Sequence, residues 1–576
     1  MSDLAPAEVG DLAAAARAWL AEDPDAGTRA ELQRLLDDSG PAGTAELADR
    51  FAGSLSFGTA GLRGAVGAGP NRMNRAVVRA ATAALAGWLS EKWPGAERAG
   101  VVVGCDARHG SADFADEAAA CLAGAGFRVH LLDPRQPTPL LAFSVRHLHA
   151  AAGVMITASH NPAADNGYKL YLGDGAQIVP PVDAEIEARI SALGRLSDIP
   201  TGDLDGPLVT RHGKDVLNAY LDAVAALSPA PPGAESLRIV YTPLHGVAGG
   251  VFSAALERAG FPRPSVVAEQ AQPDPDFPTV RFPNPEEPGA LDLALAEGRR
   301  SGADVVVAND PDGDRLAVAV PDQSADGGWR RLSGDEVGAL LGAYVLEETA
   351  GAEEPHRRLV ATTIVSSSLL SKIAAAAGAL YAETLTGFKW IVRASHDFPG
   401  SRFVFGYEEA LGYAVGEVVR DKDGISAALA FLALLTRQRR HGSSVLAGLD
   451  ELHTRHGVHL TAQLSLRTES AGEAMRRLRD EPPADFGGRS VDTVVDLSEG
   501  LPGSGGHPGG LPPSDVLVYR LAGEARVVVR PSGTEPKLKV YLEVVTPVAG
   551  SLADARRLAS DELSQLRHGV ELLLGS

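Results

Sequence analysis

The chain has 576 residues, of which 45% are hydrophobic and 22% charged, and a formal net charge of -21. That length implies about three to five domains, each with enough apolar material for its own core. So acidic a chain argues against nucleic acid and anionic membranes as partners, and any site for an anionic ligand needs locally concentrated Arg, Lys or metal.

The first fifty residues read as three helices, LAAAARAWL, TRAELQRLLDD and TAELADRF. Acidic residues come early and no basic region precedes an apolar core, so the start reads as a surface helix rather than a signal peptide. After the glycine-rich SFGTAGLRG, strands and helices alternate. AGVVVGCDAR, RVHLLD and AAGVMITASHNP are the strands of a first round, with SADFADEAAACLAGAGF as a helix between the first two. Buried apolar strands separated by amphipathic helices indicate a mostly parallel α/β sheet. A second round runs from SLRIVYTPLHGVAGG to DVVVANDPDGDR, and a third from SGDEVGALLGAYVLEE to RFVFGYEEALGY. The tail differs: LTAQLSLR, ARVVVRPSG and KLKVYLEVV read as strands closed by the helix SLADARRLASDELSQLRHG, an α+β unit. The expected fold is therefore α/β, three tandem mixed α/β domains followed by a C-terminal α+β domain. The expected divisions are a helical extension at 1–50 and domains at 51–213, 214–331, 332–455 and 456–576. The segments SPAPPGAES and LPGSGGHPGGLPPSD break the rhythm, the second as a long exposed loop of the last domain.

Two cysteines, Cys105 and Cys121, lie sixteen apart without a CxxC pattern, so neither a zinc site nor a disulfide framework is implied and a reducing cytoplasm fits best. The longest uninterrupted apolar run, Ala427 to Leu435, is nine residues, too short to span a bilayer.

Three strand-end loops, one per α/β round, occupy the position where open parallel sheets bind ligands. DPDGDR places Asp310, Asp312 and Asp314 at alternate positions, where they can converge on one hard cation. The EF-hand reading fails because its sixth and twelfth positions are Arg315 and Pro321. The alternative is an acidic turn that only caps a helix or solvates a loop, and three crowded carboxylates without a cation would repel one another, which favours the metal. TASHNP carries Ser159 and His160, and no G-x-S-x-G elbow surrounds the serine. It reads either as a serine that carries a phosphoryl group or as an ordinary polar turn. RPSGTEPK follows a strand and presents Arg530, Ser532, Gly533 and Thr534 as donors suited to a phosphate. Arg63 in GLRG, Lys169 in NGYKL and Lys389 in TGFKW are, one by one, more often solvated charges. His245 in TPLHG reads as structural. No GxxxxGK[ST] loop is present, which argues against a nucleoside triphosphatase.

In this order, SFGTAGLRG, TASHNP, DPDGDR, GYEEALGY and RPSGTEP resemble the signatures of the α-D-phosphohexomutase superfamily, over the chain from about Phe57 to about Val545. The resemblance implies four domains around a central cleft and an intramolecular phosphotransferase. It implies that Ser159 carries the phosphoryl group, and that Asp310, Asp312 and Asp314, with the phosphoserine, hold one Mg2+ per chain. It places Arg63, His160, Lys169 and Arg315 around the transferring phosphate and makes Lys389 a candidate proton handler. Glu408 and Glu409 would contact the sugar, and Arg530, Ser532, Gly533 and Thr534 its non-reacting phosphate. A sugar 1,6-bisphosphate is the expected activator, a small sugar phosphate the only expected partner, and a monomer or weak homodimer in the cytoplasm the expected state.

One departure stands out. Where many hexose mutases have a serine after the paired carboxylates, this chain has Ala410. GYEEALGY followed by RDKDGISAAL also resembles the branch containing phosphopentomutases. The reading favours glucose or mannose phosphate, with a phosphopentomutase as the alternative. A non-catalytic sugar-phosphate binder and a metal-dependent phosphatase are alternatives of other classes. The first should have lost part of this residue set, and the second needs water to reach a site that a closed cleft would keep dry.

Overall fold

The structure is a computed structural model that describes residues 6–38, 40–58, 61–351, 354–468, 470–503, 509–532 and 537–574. The chain forms two compact units, one of residues 1–230, 234–330 and 418–429, the other of 231–233, 331–417 and 430–576.

The first unit opens with helices Pro6–Glu22, Ala26–Asp37 and Pro41–Arg50, whose apolar faces meet at Ala16, Leu32 and Leu47. The Asp25 carboxylate accepts from the amides of Gly27 and Thr28 and so caps the second helix. Strands β1 (Leu62–Ala65), β2 (Val101–Cys105), β3 (Val129–Leu132), β4 (Ala152–Ile156), β5 (Asp165–Leu172) and β6 (Val209–His212) form a sheet of order β1-β5-β4-β2-β3-β6. Strands β4, β2, β3 and β6 are parallel neighbours, whereas β5 runs antiparallel to both β4 and β1. Every residue of β2 and β4 is buried, as expected for strands covered on both faces. Helices Arg75–Lys92 and Ser111–Gly124 share their core. Each buried valine of VVV in β2 contributes about 1.5–3 kcal/mol of apolar burial.

The second sheet joins β7 (Ile239–Thr242), β8 (Ser265–Val266), β9 (Val305–Ala308), β10 (Ala317–Pro321) and β11 (Trp329–Arg331) in the order β11-β10-β9-β7-β8. Here β7 is parallel to β8 and β9, and β10 is antiparallel to β9.

In the second unit, β12 (Arg358–Thr363), β13 (Leu380–Thr384), β14 (Arg402–Glu408) and β15 (Gly412–Val415) are ordered β13-β12-β14-β15, with only the last pair antiparallel. The preceding helix, Gly334–Glu348, starts at a capping box made by Ser333 and Glu336. The last sheet holds β16 (Val458–Arg467), β17 (Asp485–Phe486), β18 (Arg489–Asp496), β19 (Leu517–Leu521), β20 (Arg526–Pro531) and β21 (Lys537–Thr546), in the order β16-β21-β20-β19-β18-β17. All its neighbours are antiparallel, and helix Leu552–Leu574 packs on β16 and β21. The chain is thus three mixed α/β sheets followed by an antiparallel sheet domain.

The first three sheets share one device. A buried parallel strand (β4, β9 or β14) ends in a short loop, and the chain comes back antiparallel beside it (β5, β10 or β15). The loops are TASHNP, DPDGDR and the EEAL turn. These returning strands are what makes the sheets mixed, as expected. Asn166 and Lys169 interrupt the apolar pattern of β5 yet are buried there.

The apolar run Ala427–Leu435 lies buried in helix Gly424–Arg440, and no described helix is long and apolar enough to cross a membrane.

Candidate active site

The TASHNP loop is bent at its serine. Ser159 has φ 51°, in the left-handed region, which costs a non-glycine residue on the order of 1–3 kcal/mol. The Ser159 amide donates to Thr157 Oγ1 at 2.9 Å. The buried Arg108 guanidinium donates to the carbonyls of Ser159 (2.6 Å), Asn161 (2.6 Å), Pro162 (2.7 Å) and Asp165 (3.1 Å). One arginine therefore gathers four carbonyls of the loop. In this bent backbone Ser159 Oγ lies 3.2 Å from His160 Nδ1 and donates to Asp310 Oδ2 at 2.9 Å. Adjacent residues seldom meet in this way; the left-handed turn at Ser159 brings them together.

Asp310, Asp312 and Asp314 are fully buried and offer oxygens within 4.8 Å of one another. The turn closes through the Gly313 amide, which donates to the Asp310 carbonyl, and Gly313 takes φ 72°. The Arg315 amide donates to Asp310 Oδ1 at 3.0 Å, and Thr138 Oγ1 donates to Asp312 Oδ2 at 2.6 Å. Lys169 Nζ, reaching over from β5, donates to Asp312 Oδ2 at 2.7 Å and to Asp314 Oδ2 at 2.9 Å. Burial, then Asp314 and Asp312, push Asp310 well above the usual carboxylate range. Burial acts the same way on Asp312, but the Lys169 ammonium, together with Thr138 and Lys422, more than offsets it and holds that group below its usual range. Burial disfavours the charged form of Lys169, and the two carboxylates reverse that and raise it.

The residues fit a divalent cation. Asp312 Oδ1 and Asp314 Oδ1 are buried without a hydrogen-bond partner, and the donor set is all oxygen, as hard cations such as Mg2+ require.

Positive charge surrounds this cluster. Arg315 Nε lies 3.9 Å from Asp310 Oδ2, and Arg63 Nη1 donates to Asn161 Oδ1 at 3.0 Å. Burial, followed by Arg315, Arg63, Lys169 and Lys422, holds the His160 imidazole well below its ordinary range and hence neutral. A cluster so rich in cationic groups inside an acidic chain suits a phosphoryl group.

The second unit carries the other predicted residues. Glu408 closes β14, and Glu409 Oε2 accepts from Ser366 Oγ (3.1 Å) and Thr363 Oγ1 (3.3 Å). Burial, then Glu408 and Asp335, push the Glu409 carboxyl up to about 7. Arg530 Nη2 donates to Tyr541 Oη at 3.0 Å, while Arg530 Nε is buried without a hydrogen-bond partner. Burial, then Glu409, push the Tyr541 hydroxyl up to about 12, and Glu408 acts in the same direction. Arg530, Tyr541 and the paired glutamates are thus electrostatic neighbours. Lys389 is buried in the short helix Phe388–Ile391, its Nζ 5.9 Å from the centre of the Trp390 ring. The Ser532 amide donates to the Lys537 carbonyl. Gly533 and Thr534 lie outside the described residues. His245 donates or accepts at Thr279 Oγ1, 2.8 Å away, inside the second sheet's loops.

Sequence reasoning missed Arg108, Thr138 and Lys422. Arg108 follows β2 in CDARHG, a strand-end position like those of the recognised loops. Thr138 opens a helix in an unremarkable PTPL. Lys422 stands in RDKDG, noted only as a branch marker; its Nζ lies 3.4 Å from Asp314 Oδ2.

Four sequence profiles of phosphoglucomutase/phosphomannomutase match in succession: alpha/beta/alpha domain I at 54–195, domain II at 218–324, domain III at 333–452 and the C-terminal domain at 513–557. A Haemophilus influenzae protein described as a probable phosphomannomutase is 42% identical over 482 residues, covering 82% of this chain and 93% of that protein. Human phosphopentomutase is 33% identical, covering 96% of this chain and 94% of its own. The crystal structure of a Thermus thermophilus protein described as a phosphomannomutase superposes with a TM-score of 0.64 at 26% identity, over 89% of this chain and 99% of that one. Fold, matched domains and carboxylate cluster together define a phosphosugar mutase, an isomerase that moves a phosphoryl group. The chain belongs to the phosphoglucomutase/phosphomannomutase family, within the α-D-phosphohexomutase superfamily, whose members depend on magnesium.

Proposed function

We propose that this mutase moves the phosphoryl group between C1 and C6 of a hexose phosphate, glucose or mannose, with Ser159 as the carrier. The observation that carries the reading is the buried Ser159 hydroxyl, 2.9 Å from Asp310 and beside His160 in a cluster otherwise rich in cations. In the proposed cycle the Ser159 Oγ–P bond breaks as a sugar hydroxyl oxygen bonds to phosphorus, giving a sugar bisphosphate. The bisphosphate turns over, and its other phosphate returns to Ser159. A sugar 1,6-bisphosphate would therefore prime the enzyme. Arg63, Lys169 and Arg315 neutralise charge on the moving phosphoryl group, and neutral His160 orients the Ser159 oxygen. A cation held by Asp310, Asp312, Asp314 and phospho-Ser159 would supply further positive charge for that transfer. Lys389 is assigned the hydroxyl proton, Glu408 and Glu409 the sugar, and Arg530, Ser532, Gly533 and Thr534 the phosphate that does not react. The domain divisions at 51–213, 214–331, 332–455 and 456–576, a cytoplasmic location, and a monomer or weak homodimer are proposed with it.

A second reading, a phosphopentomutase, is supported by Ala410 and by the human relative's coverage of this chain. Values of kcat/KM on glucose 1-phosphate, mannose 1-phosphate and ribose 1-phosphate, with phosphate release followed in parallel, decide between them. Hexose turnover at or above the pentose rate is expected, and a pentose preference of tenfold or more overturns the hexose assignment. Ser159→Ala should abolish turnover while leaving sugar-phosphate binding within a few-fold. A wild-type rate in that variant refutes the carrier role.

A further inference from the structure

The residues 418–429 follow the strands of the third α/β domain in sequence, yet they pack in the first unit with the carboxylate cluster. Their start alternates anchor, lysine, anchor. Asp421 Oδ2 accepts from Tyr171 Oη at 2.7 Å and from Gln177 Nε2 at 2.8 Å. Asp423 Oδ1 accepts from Tyr220 Oη at 3.0 Å and from the amides of Ile425 (2.9 Å) and Ser426 (3.2 Å), at the start of helix Gly424–Arg440. Gly424 lies so close beneath that a Cβ there would sit 2.1 Å from the Arg315 carbonyl oxygen. Both aspartates are buried. Between them Lys422 is turned to the cluster, with Nζ 3.4 Å from Asp314 Oδ2 and 3.6 Å from Asp421 Oδ1.

Asp314 Oδ2 therefore faces two ammonium groups, Lys169 at 2.9 Å and Lys422 at 3.4 Å, while its Oδ1 has no hydrogen-bond partner. Lys169 spans Asp312 and Asp314 from a strand whose partner, β4, leads into the serine loop. Lys422 comes on a separate segment with its own anchors. Three carboxylates buried together need compensating charge, and a divalent cation entering them meets the ammonium already there.

We propose that Lys422 is a positioning residue that sets how tightly the Asp310–Asp312–Asp314 cluster holds a divalent cation, acting as a resident counter-charge on Asp314. The inference rests on the reading of that cluster as the metal site. Removing the ammonium leaves the cluster more negative, so the cation should bind more tightly although the protein without metal is less stable. A unit charge in contact with a carboxylate that would hold a divalent ion, at an effective dielectric between protein and water, changes affinity by about tenfold or more.

The test is titration of the full-length protein with Mn2+ alone, read by electron paramagnetic resonance of free Mn2+ and by thermal melting. Lys422→Met and the milder Lys422→Gln should each lower the Mn2+ Kd by about tenfold or more. They should also melt below wild type without metal and gain more from added Mn2+. Lys422→Arg, which keeps the charge, should return the Kd to within about threefold of wild type. Folded Met and Gln variants that bind Mn2+ no tighter than wild type overturn the inference. If wild type binds no Mn2+, or binds it equally after Asp312→Asn with Asp314→Asn, the metal reading itself fails, and the inference with it.

Discussion

Replacing Arg108 with methionine removes a buried guanidinium that ties down the backbone of the Ser159 loop. Arg108 is buried, donates to four carbonyls between residues 159 and 165, and places Nε 3.4 Å from Asp106 Oδ2. Each hydrogen bond to a charged donor is worth about 1.5–3 kcal/mol. The guanidinium's own desolvation offsets much of that sum, so the expected net loss is that of breaking a buried charge pair, about 3–5 kcal/mol. For a unit of this size the corresponding fall in melting temperature is about 4–7 °C. The loop would also lose what balances the left-handed Ser159, so kcat should fall at least tenfold if the serine is the carrier. Differential scanning calorimetry and a coupled mutase assay on the full-length protein measure both. Asp106→Asn combined with Arg108→Met should recover part of the stability, because it removes the stranded carboxylate, and none of the kcat. A melting temperature within about 2 °C of wild type and kcat within twofold for Arg108→Met would refute the reasoning.

Glu409 supplies a pH signature. Its carboxyl is raised to about 7, so between the unfolded value near 4.5 and about 7 the folded chain binds the extra proton, and stability from this group is lost as pH rises through that window. Relative to Glu409→Gln, wild type should lose on the order of 1–3 kcal/mol across it by chemical denaturation; parallel profiles for the two proteins would count against the assignment. Arg526 pairs with Glu543 at 2.8 Å and Glu383 at 3.0 Å in the second unit, and despite burial it holds Glu543 at about 2. Arg526→Met should cost about 3–5 kcal/mol, with partial recovery in Arg526→Lys, both read from denaturation midpoints; a loss below about 1 kcal/mol would contradict this.

The architecture was legible wherever the pattern was purely apolar. VVVG in β2, GVMI in β4 and VVVA in β9 could be read as buried strands because nothing polar interrupts them. The loops at their ends stood out by composition, and Ser159 with the three aspartates do meet in one cluster. Most of what escaped reading is buried polar and charged side chains. The strand β5 buries Asn166 and Lys169, the Asp421–Asp423 segment buries two carboxylates, and Arg108 is a buried guanidinium. Sequence pattern assigns such residues to the surface, and only long-range hydrogen bonds offset their desolvation. Lys169, which the resemblance places by the transferring phosphate, sits in register opposite Met155 in β5 and from there reaches Asp312 and Asp314. The Ser159–His160 contact depends on a backbone angle that composition does not encode.

The segment 418–429 also bears on how the chain is made. The other parts of the first unit end at residue 330, and its last twelve residues come only after the strands of the third α/β domain. On a ribosome adding about 5–20 residues per second, the unit waits roughly 5–20 s for about 100 further residues before Lys422 can reach Asp314. During that interval the carboxylate cluster has Lys169 and Arg315 but lacks its second lysine. Metal ions and small anions in the cell therefore meet a more negative version of the site while the protein is being born than they do once it is complete.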